Sequence, residues 1–133
     1  MAAGAPRERI ERTFDLDDVT APQQARSAVA EFDDLDEATL IDLRIVISEL
    51  VANAVRHAPR IPKGRVRICI ARDAGNFVVE VHDPGAGFEP THDPSLEGGL
   101  GLVMVGQVAE SWGIDGDGHT TVWCRLRAHD ASA

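Results

Sequence analysis

In "GRVRICIAR" and "NFVVEVHD" apolar side chains recur at every second position. Val66, Ile68 and Ile70 share one face of the first run, and Phe77, Val79 and Val81 one face of the next. Period two is the mark of a half-buried strand, and the short link "DAG" joins the two runs into a hairpin. Upstream the period changes. In "DLDEATLIDLRIVISELVANAVRHA" the residues Leu40, Leu43, Ile47, Leu50, Val51 and Ala54 form one broad stripe at about 100° per residue. That spacing predicts a long helix. Asp34 with Glu37 forms a capping box at its start, and Pro59 ends it, because the residue before a proline disfavours the α region. "PQQARSAVAEF" predicts a shorter helix with Pro22 in its first turn, where a missing N–H does no harm. "LGLVMVGQVAESW" predicts a third helix, "RIERTFDLD" a short edge strand, "GIDGDGH" a short strand or turn, and "TTVWCRLR" a last strand. Helices laid on a mixed, mostly antiparallel sheet make a two-layer α/β sandwich.

The chain has 133 residues, a single-domain length, and is 44% hydrophobic and 26% charged. The elements run from residue 10 to 127, with residues 1–9 and 128–133 expected to be flexible termini. A formal net charge of -9 argues against direct nucleic-acid binding, which needs clustered Lys and Arg. It leaves room for a small anion held by backbone N–H groups and a metal. Cys69 and Cys124 each sit in a strand-like apolar run without C-x-x-C spacing, which reads as two buried free thiols rather than a disulfide or zinc site. No run approaches membrane-spanning length and "MAAGAPRERI" has no apolar leader core, so a soluble, cytoplasmic protein without a membrane association is expected.

Three polar residues interrupt the long helix. Glu49 and Asn53 lie one turn apart, with His57 one turn further on. Asp42, Glu49, Asn53 and Arg56 cluster on roughly the side opposite the apolar stripe, which suits a solvated polar stripe. Yet Ile41, Ile45 and Ala52 flank them, and Asn is a poor helix former because its side chain competes for backbone hydrogen bonds. An amide oxygen is a hard ligand suited to Mg²⁺. A carboxylate one turn away can take a proton from an attacking hydroxyl. The i, i+4 spacing puts both on one face. His57 fits a hydrogen-bonded residue closing the helix. Trp112 and Trp123 suit core or partner surface, the first leaning to core.

Two glycine-bearing segments follow the hairpin. Asp83 ends its second strand and opens D-x-G-x-G with Gly85 and Gly87. A carboxylate there can accept a hydrogen bond from an exocyclic amino group such as adenine N6, and the glycines let a flat ring approach the backbone. An ordinary turn uses the same residues. "EGGLGL", Gly98 to Leu102, opens the third helix. Glycines there expose N–H groups to a phosphate at the positive end of the helix dipole; a plain linker would look alike. No G-K-[ST] follows, and the segment does not lie between parallel strands, so neither a Walker A loop nor a Rossmann fingerprint is present.

E-x-x-x-N on a helix, D-x-G-x-G after a hairpin, G-x-G-L opening a helix and a terminal T-T-V strand occur in that order. The set resembles the ATPase superfamily shared by gyrase, the heat-shock chaperone of that type, histidine kinases and MutL, the Bergerat fold, over roughly residues 10 to 127. Within it, "SELVANAVRHA", "GGLGLVMVGQVAESWGI" and "TTVWCRL" are similar to the actinobacterial anti-sigma-factor serine kinases. The resemblance implies ATP and Mg²⁺ as cofactors, with Asn53 coordinating the metal and Glu49 acting as general base toward a substrate serine. It implies that Asp83 reads adenine N6 and that Gly85 and Gly87 shape the adenine end. Gly99, Leu100, Gly101 and Leu102 would line the phosphate end. Thr120, with Thr121 as the alternative, would support the adenine. It further implies a sigma factor and a small anti-sigma-factor antagonist as partners, silencing of the former, phosphorylation of the latter, and a homodimer.

Between Asp73 and Cys124 there is no Lys or Arg. "FEPTHDPSLE", between the glycine segments, is acidic where kinases of this type often carry a basic residue near the γ-phosphate. Arg56, Arg60 or Lys63, the loop N–H groups or Mg²⁺ would have to neutralise that charge. The alternative reading is therefore a nucleotide-dependent protein-binding switch with little or no kinase turnover. No helical hairpin bearing a phosphorylatable His is read in these 133 residues, so a complete sensor histidine kinase is not expected.

Overall fold

The computed structural model describes residues 8–57, 64–83, 100–116 and 119–129, and of residues 57 and 100–103 only the backbone. Its elements are β1 (Glu8–Asp15), α1 (Ala21–Ala28) with a 3-10 turn at Val29–Glu31, α2 (Glu37–His57), β2 (Arg65–Asp73), β3 (Asn76–Asp83), α3 (Leu100–Val108), β4 (Ser111–Gly116) and β5 (Thr120–Arg127). The strands form one sheet in the order β1-β2-β3-β5-β4. Every pairing is antiparallel, so the mixed sheet expected from the sequence narrows to a wholly antiparallel one among the described residues.

The register explains the alternation. Ile70 faces Val79, and Ile68 faces Val81. Val79 faces Cys124 in turn, and Val81 faces Val122. Directly opposed residues share a face, so one sheet surface is continuously apolar, and the helices cover it. α2 lies over β2, β3 and β5; α1 flanks it on the β1 side and α3 on the β4 side. Leu43, Val46, Ile47, Leu50 and Val51 are fully buried beneath α2. At one edge Phe32 meets Phe77 edge-on, ring centroids 5.6 Å apart, and the Arg72 guanidinium covers both rings. Trp112 packs against this core as expected. Trp123 lies on the other sheet face, over Gly113.

β2 and β3 are joined by Ala74 and Gly75, at φ 54° and 86°. Two left-handed residues are what a two-residue turn of type I′ requires. Both cysteines are free and buried. Cys69 faces away from the helices and Cys124 toward them, so the sheet separates them. Burial raises both thiol pKa values, that of Cys124 to about 12. No helix among the described residues is long and apolar enough to cross a membrane.

Four details differ from the sequence reading. The cap of α2 is Asp36, not Asp34: the Asp36 carboxylate accepts from the Thr39 N–H at 3.1 Å and from its hydroxyl. Asp34 is turned to φ 60°, a left-handed conformation an Asp tolerates, and so lies outside the helix. α3 stops at Val108 rather than running on to Trp112. There the Glu110 N–H donates to the Arg125 carbonyl at 2.8 Å, and the chain joins the sheet. Glu8 and Arg9, placed in a flexible terminus, belong to β1. Beyond β5, Ala128 donates to the Gly75 carbonyl, and the His129 N–H donates to Thr39 Oγ1, both at 2.8 Å.

Candidate functional site

Burial divides α2 differently from the sequence reading. Asn53 is only 4% exposed, so it lies inside the buried arc rather than opposite it. Glu49 is about 40° away around the helix, half-buried at the margin of that arc. Among the described residues nothing hydrogen-bonds the Asn53 side chain, and no side-chain N or O atom is both sealed from solvent and unpartnered. Its amide therefore opens onto accessible space while its stem is held in the core. Which flank it faces follows from its neighbours. Ser48, on one side of α2, accepts from Arg26 of α1 at 3.1 Å. Asp42, on the other side, lines a cleft with Gln107 and Val108 at the end of α3. Glu49 and Asn53 share the Asp42 side of the helix, toward α3.

The second pair comes from the sheet. Asp83, the last residue of β3, is directly opposed to Thr120, the first of β5. They are 7% and 1% exposed. Thr120 shares the helix-facing surface with Val122 and Cys124, and Asp83 shares it with Val81. Thr121 points the other way: it is opposed to His82, and its hydroxyl lies 2.9 Å from His82 Nδ1. His82 Nε2 in turn lies 3.1 Å from Glu80 Oε1. Of Thr120, preferred from the sequence, and its alternative Thr121, Thr120 is the one on the face of Asp83.

Both pairs and the start of α3 converge on one end of the sandwich. The opposite end is marked by His129, after β5, which bonds Thr39 and Asp42 near the start of α2. The first residue of β5 and the C-terminal half of α2 thus lie at the far end. The C-terminus of α3 lies by Asp42 and His129. Its N-terminus is about 12 Å away along the helix axis, toward Asn53 and Thr120. Leu100, Gly101 and Leu102 form its first turn, whose N–H groups have no partner within the helix and suit an anion. Gly85, Gly87 and Gly99 lie outside the described residues, as do Arg60, Lys63 and the side chain of His57.

The donor set fits a metal-bound nucleotide in kind. An amide oxygen and a nearby carboxylate are hard oxygen donors, as Mg²⁺ requires, and Mg²⁺ keeps several waters and phosphate oxygens for itself. Among the described residues no group of three or more His, Cys, Asp or Glu is placed to hold a metal ion. A buried acceptor beside a buried hydroxyl suits one polar edge of a flat ring. The His82–Thr121 contact on the reverse face was not legible in the sequence. It depends on the register of two strands whose partners lie 39 residues apart.

Residues 13–126 match the family described as the histidine kinase-like ATPase domain, and the chain belongs to that family. The sensor protein IrlS of Burkholderia pseudomallei (strain K96243) is similar to it: 32% identical over 107 residues, covering 64% of this chain and 23% of the sensor. The chain thus spans less than a quarter of that relative's length. Membership makes this an ATP-binding, kinase-like domain, and ATP the nucleotide to fit against the pairs just described.

Proposed function

We propose that the protein is a cytoplasmic, ATP- and Mg²⁺-binding anti-sigma factor and serine kinase, which phosphorylates a small antagonist protein and sequesters a sigma factor. One observation carries the nucleotide part. The buried Asp83–Thr120 pair, the Glu49–Asn53 pair and the N-terminus of α3 gather at one end of a sandwich whose family is an ATPase. In this reading Asp83 accepts from the adenine amino group and Thr120 backs it. Gly85 and Gly87 shape that end, and Gly99 to Leu102 meet the phosphates. Asn53 supplies an oxygen to Mg²⁺, which when bound neutralises phosphate charge. Glu49, half-buried beside Asn53, accepts the proton of the incoming serine hydroxyl. Phosphoryl transfer asks a protein mainly for positioning and charge neutralisation, so this short list suffices. The partners rest on the motif resemblance. The test is incubation with labelled ATP and a candidate antagonist: label should pass to the antagonist, and Glu49→Ala should abolish transfer while retaining ATP binding. Undiminished transfer by Glu49→Ala removes the role given to that residue.

A second reading is favoured by charge. No Lys or Arg occurs between Asp73 and Cys124, across the whole segment that would close over the nucleotide. A switch that binds ATP and captures a partner without turnover fits that composition. It predicts partner capture with no phosphoprotein, and stoichiometric phosphorylation would exclude it.

A further inference from the structure

On the α1 side of α2 runs a ridge of residues four apart, Arg44, Ser48, Ala52 and Arg56, which by Arg56 has come round to the flank of Glu49 and Asn53. Arg44 and Arg56 are exposed, Ser48 and Ala52 half-buried. Small side chains at the middle of a ridge let another backbone come close. Beside them lies an open groove of about 320 Å³ between α1 and α2, lined by Val19, Pro22, Ala52, Val55 and Arg56. Val19, at its lip, is 87% exposed, and Ile41, further along α2, is 49% exposed. An exposed apolar side chain such as Val19 at the lip of a groove with a polar rim marks an interaction site.

The rim charge selects the occupant. Arg9, Arg12, Arg65, Arg67, Arg72 and Arg127 each lie within ion-pair distance of an Asp or Glu. Arg26, Arg44, Arg56 and Arg125 have no such carboxylate among the described residues; Arg125 stands on β5, on the sheet face away from the helices, and Arg26 donates only to Ser48 Oγ. Arg56 lines the groove, and Arg26 and Arg44 continue the same side of the α1–α2 seam beyond it, in a chain whose net charge is -9. Net negative charge repels an acidic partner in general, so attraction is strongest where three of these four arginines lie along one seam. Arg44 and Arg56 are 12 positions apart, about 18 Å along the helix axis, the length of a three-turn helix. Nucleic-acid phosphates would meet the arginines but would leave the apolar floor unused.

We infer that the α1–α2 groove docks an acidic amphipathic helix of a partner protein, with its apolar stripe on Pro22, Ala52 and Val55 and its carboxylates on Arg26, Arg44 and Arg56. This is the helix-in-groove mode, in which apolar anchors supply affinity and flanking charges set orientation. The inference stands apart from the nucleotide reading, since none of the residues needed to test it touches the Asp83–Thr120 end.

The test uses the full chain and a fluorescein-labelled designed helix of about 18 residues, with leucines at i, i+3, i+4 and i+7 and flanking glutamates. Controls carry lysine for glutamate, or serine for leucine. Fluorescence anisotropy should show saturable binding of the acidic peptide, weakening with added salt, and none of either control. Arg44→Glu and Val19→Asp, both exposed positions whose unfolding midpoints are read first, should each weaken binding about tenfold or more, since a reversed or buried charge repels as well as removing a contact. Having two variants keeps the test valid if one fails to fold. Binding of the lysine peptide as tight as that of the acidic one, no binding by wild type, or wild-type affinity in both variants would overturn the inference. Sedimentation velocity covers the other occupant: a dimer that Val19→Asp dissolves would assign the groove to a second copy and also overturn it.

Discussion

Two neighbouring threonines separate a nucleotide-facing role from a purely structural one. Thr120→Val and Thr121→Val make the same chemical change, hydroxyl to methyl, at adjacent strand positions that both tolerate valine. Their surroundings differ. Thr120 is 1% exposed and directly opposed to Asp83 on the helix-facing surface. Thr121 is on the reverse surface, 2.9 Å from His82 Nδ1. Losing the Thr121 hydrogen bond should cost about 1 kcal/mol of stability. With about 2.1 cal/mol/K of unfolding entropy per residue over 133 residues, that lowers the midpoint by about 4 °C. ATP affinity should stay within about twofold, because no atom on the helix-facing side changes. Thr120→Val removes a buried hydroxyl from the polar edge offered to the adenine. The expected loss is about 1–2 kcal/mol of binding, roughly 5- to 30-fold in Kd. Thermal denaturation of the free proteins and calorimetric titration with Mg-ATP read the two effects separately. If Thr121→Val weakens ATP binding more than Thr120→Val does, the assignment of faces to functions is wrong.

The latch between the end of β5 and the start of α2 should be pH-dependent. A hydrogen bond to Asp42 holds the His129 imidazolium pKa above its ordinary value. The stabilisation is therefore complete below the unfolded-state value of about 6.5 and is lost as pH rises through the folded one. His129→Ala should lower the thermal midpoint more at about pH 5.5 than at about pH 8.5, and an equal effect at both would refute the latch. Gly113 is another sensitive position, because an added Cβ would stand 2.8 Å from the Trp123 ring. Gly113→Ala should destabilise by about 1–3 kcal/mol and alter indole fluorescence, as forced repacking does; an unchanged midpoint and spectrum would contradict the contact.

The faces of the strands were legible because period-two alternation survives whatever the tertiary context: Val66, Ile68, Ile70, Phe77, Val79 and Val81 all point where the pattern places them. The site was legible as residue types, less so as geometry. Asn53 reads as part of a polar stripe because a helical wheel shows angle, not how far flanking helices wrap around α2. The cap moved from Asp34 to Asp36 because either acid can cap, and only backbone φ decides between them. The reach of α3 was overestimated because Trp112 suits a helix as well as the strand that claims it. The motif resemblance prefers Thr120 over Thr121, but which of the two shares the face of Asp83 follows only from the β3–β5 register, which a long sequence separation hides. Gly85, Gly87 and Gly99 stand as inferences from motif alone.

The central claim is that one end of this sandwich holds Mg-ATP between the Asp83–Thr120 edge and the Glu49–Asn53 flank of α2. Calorimetric titration with ATP, with and without Mg²⁺, on wild type, Asn53→Ala and Asp83→Asn tests it directly. Wild type should bind. Asp83→Asn should lose about 10- to 100-fold in either condition, the cost of a charge-assisted hydrogen bond. Asn53→Ala should lose chiefly the gain that Mg²⁺ confers. Absence of binding by wild type, or equal binding by all three proteins, would contradict the account.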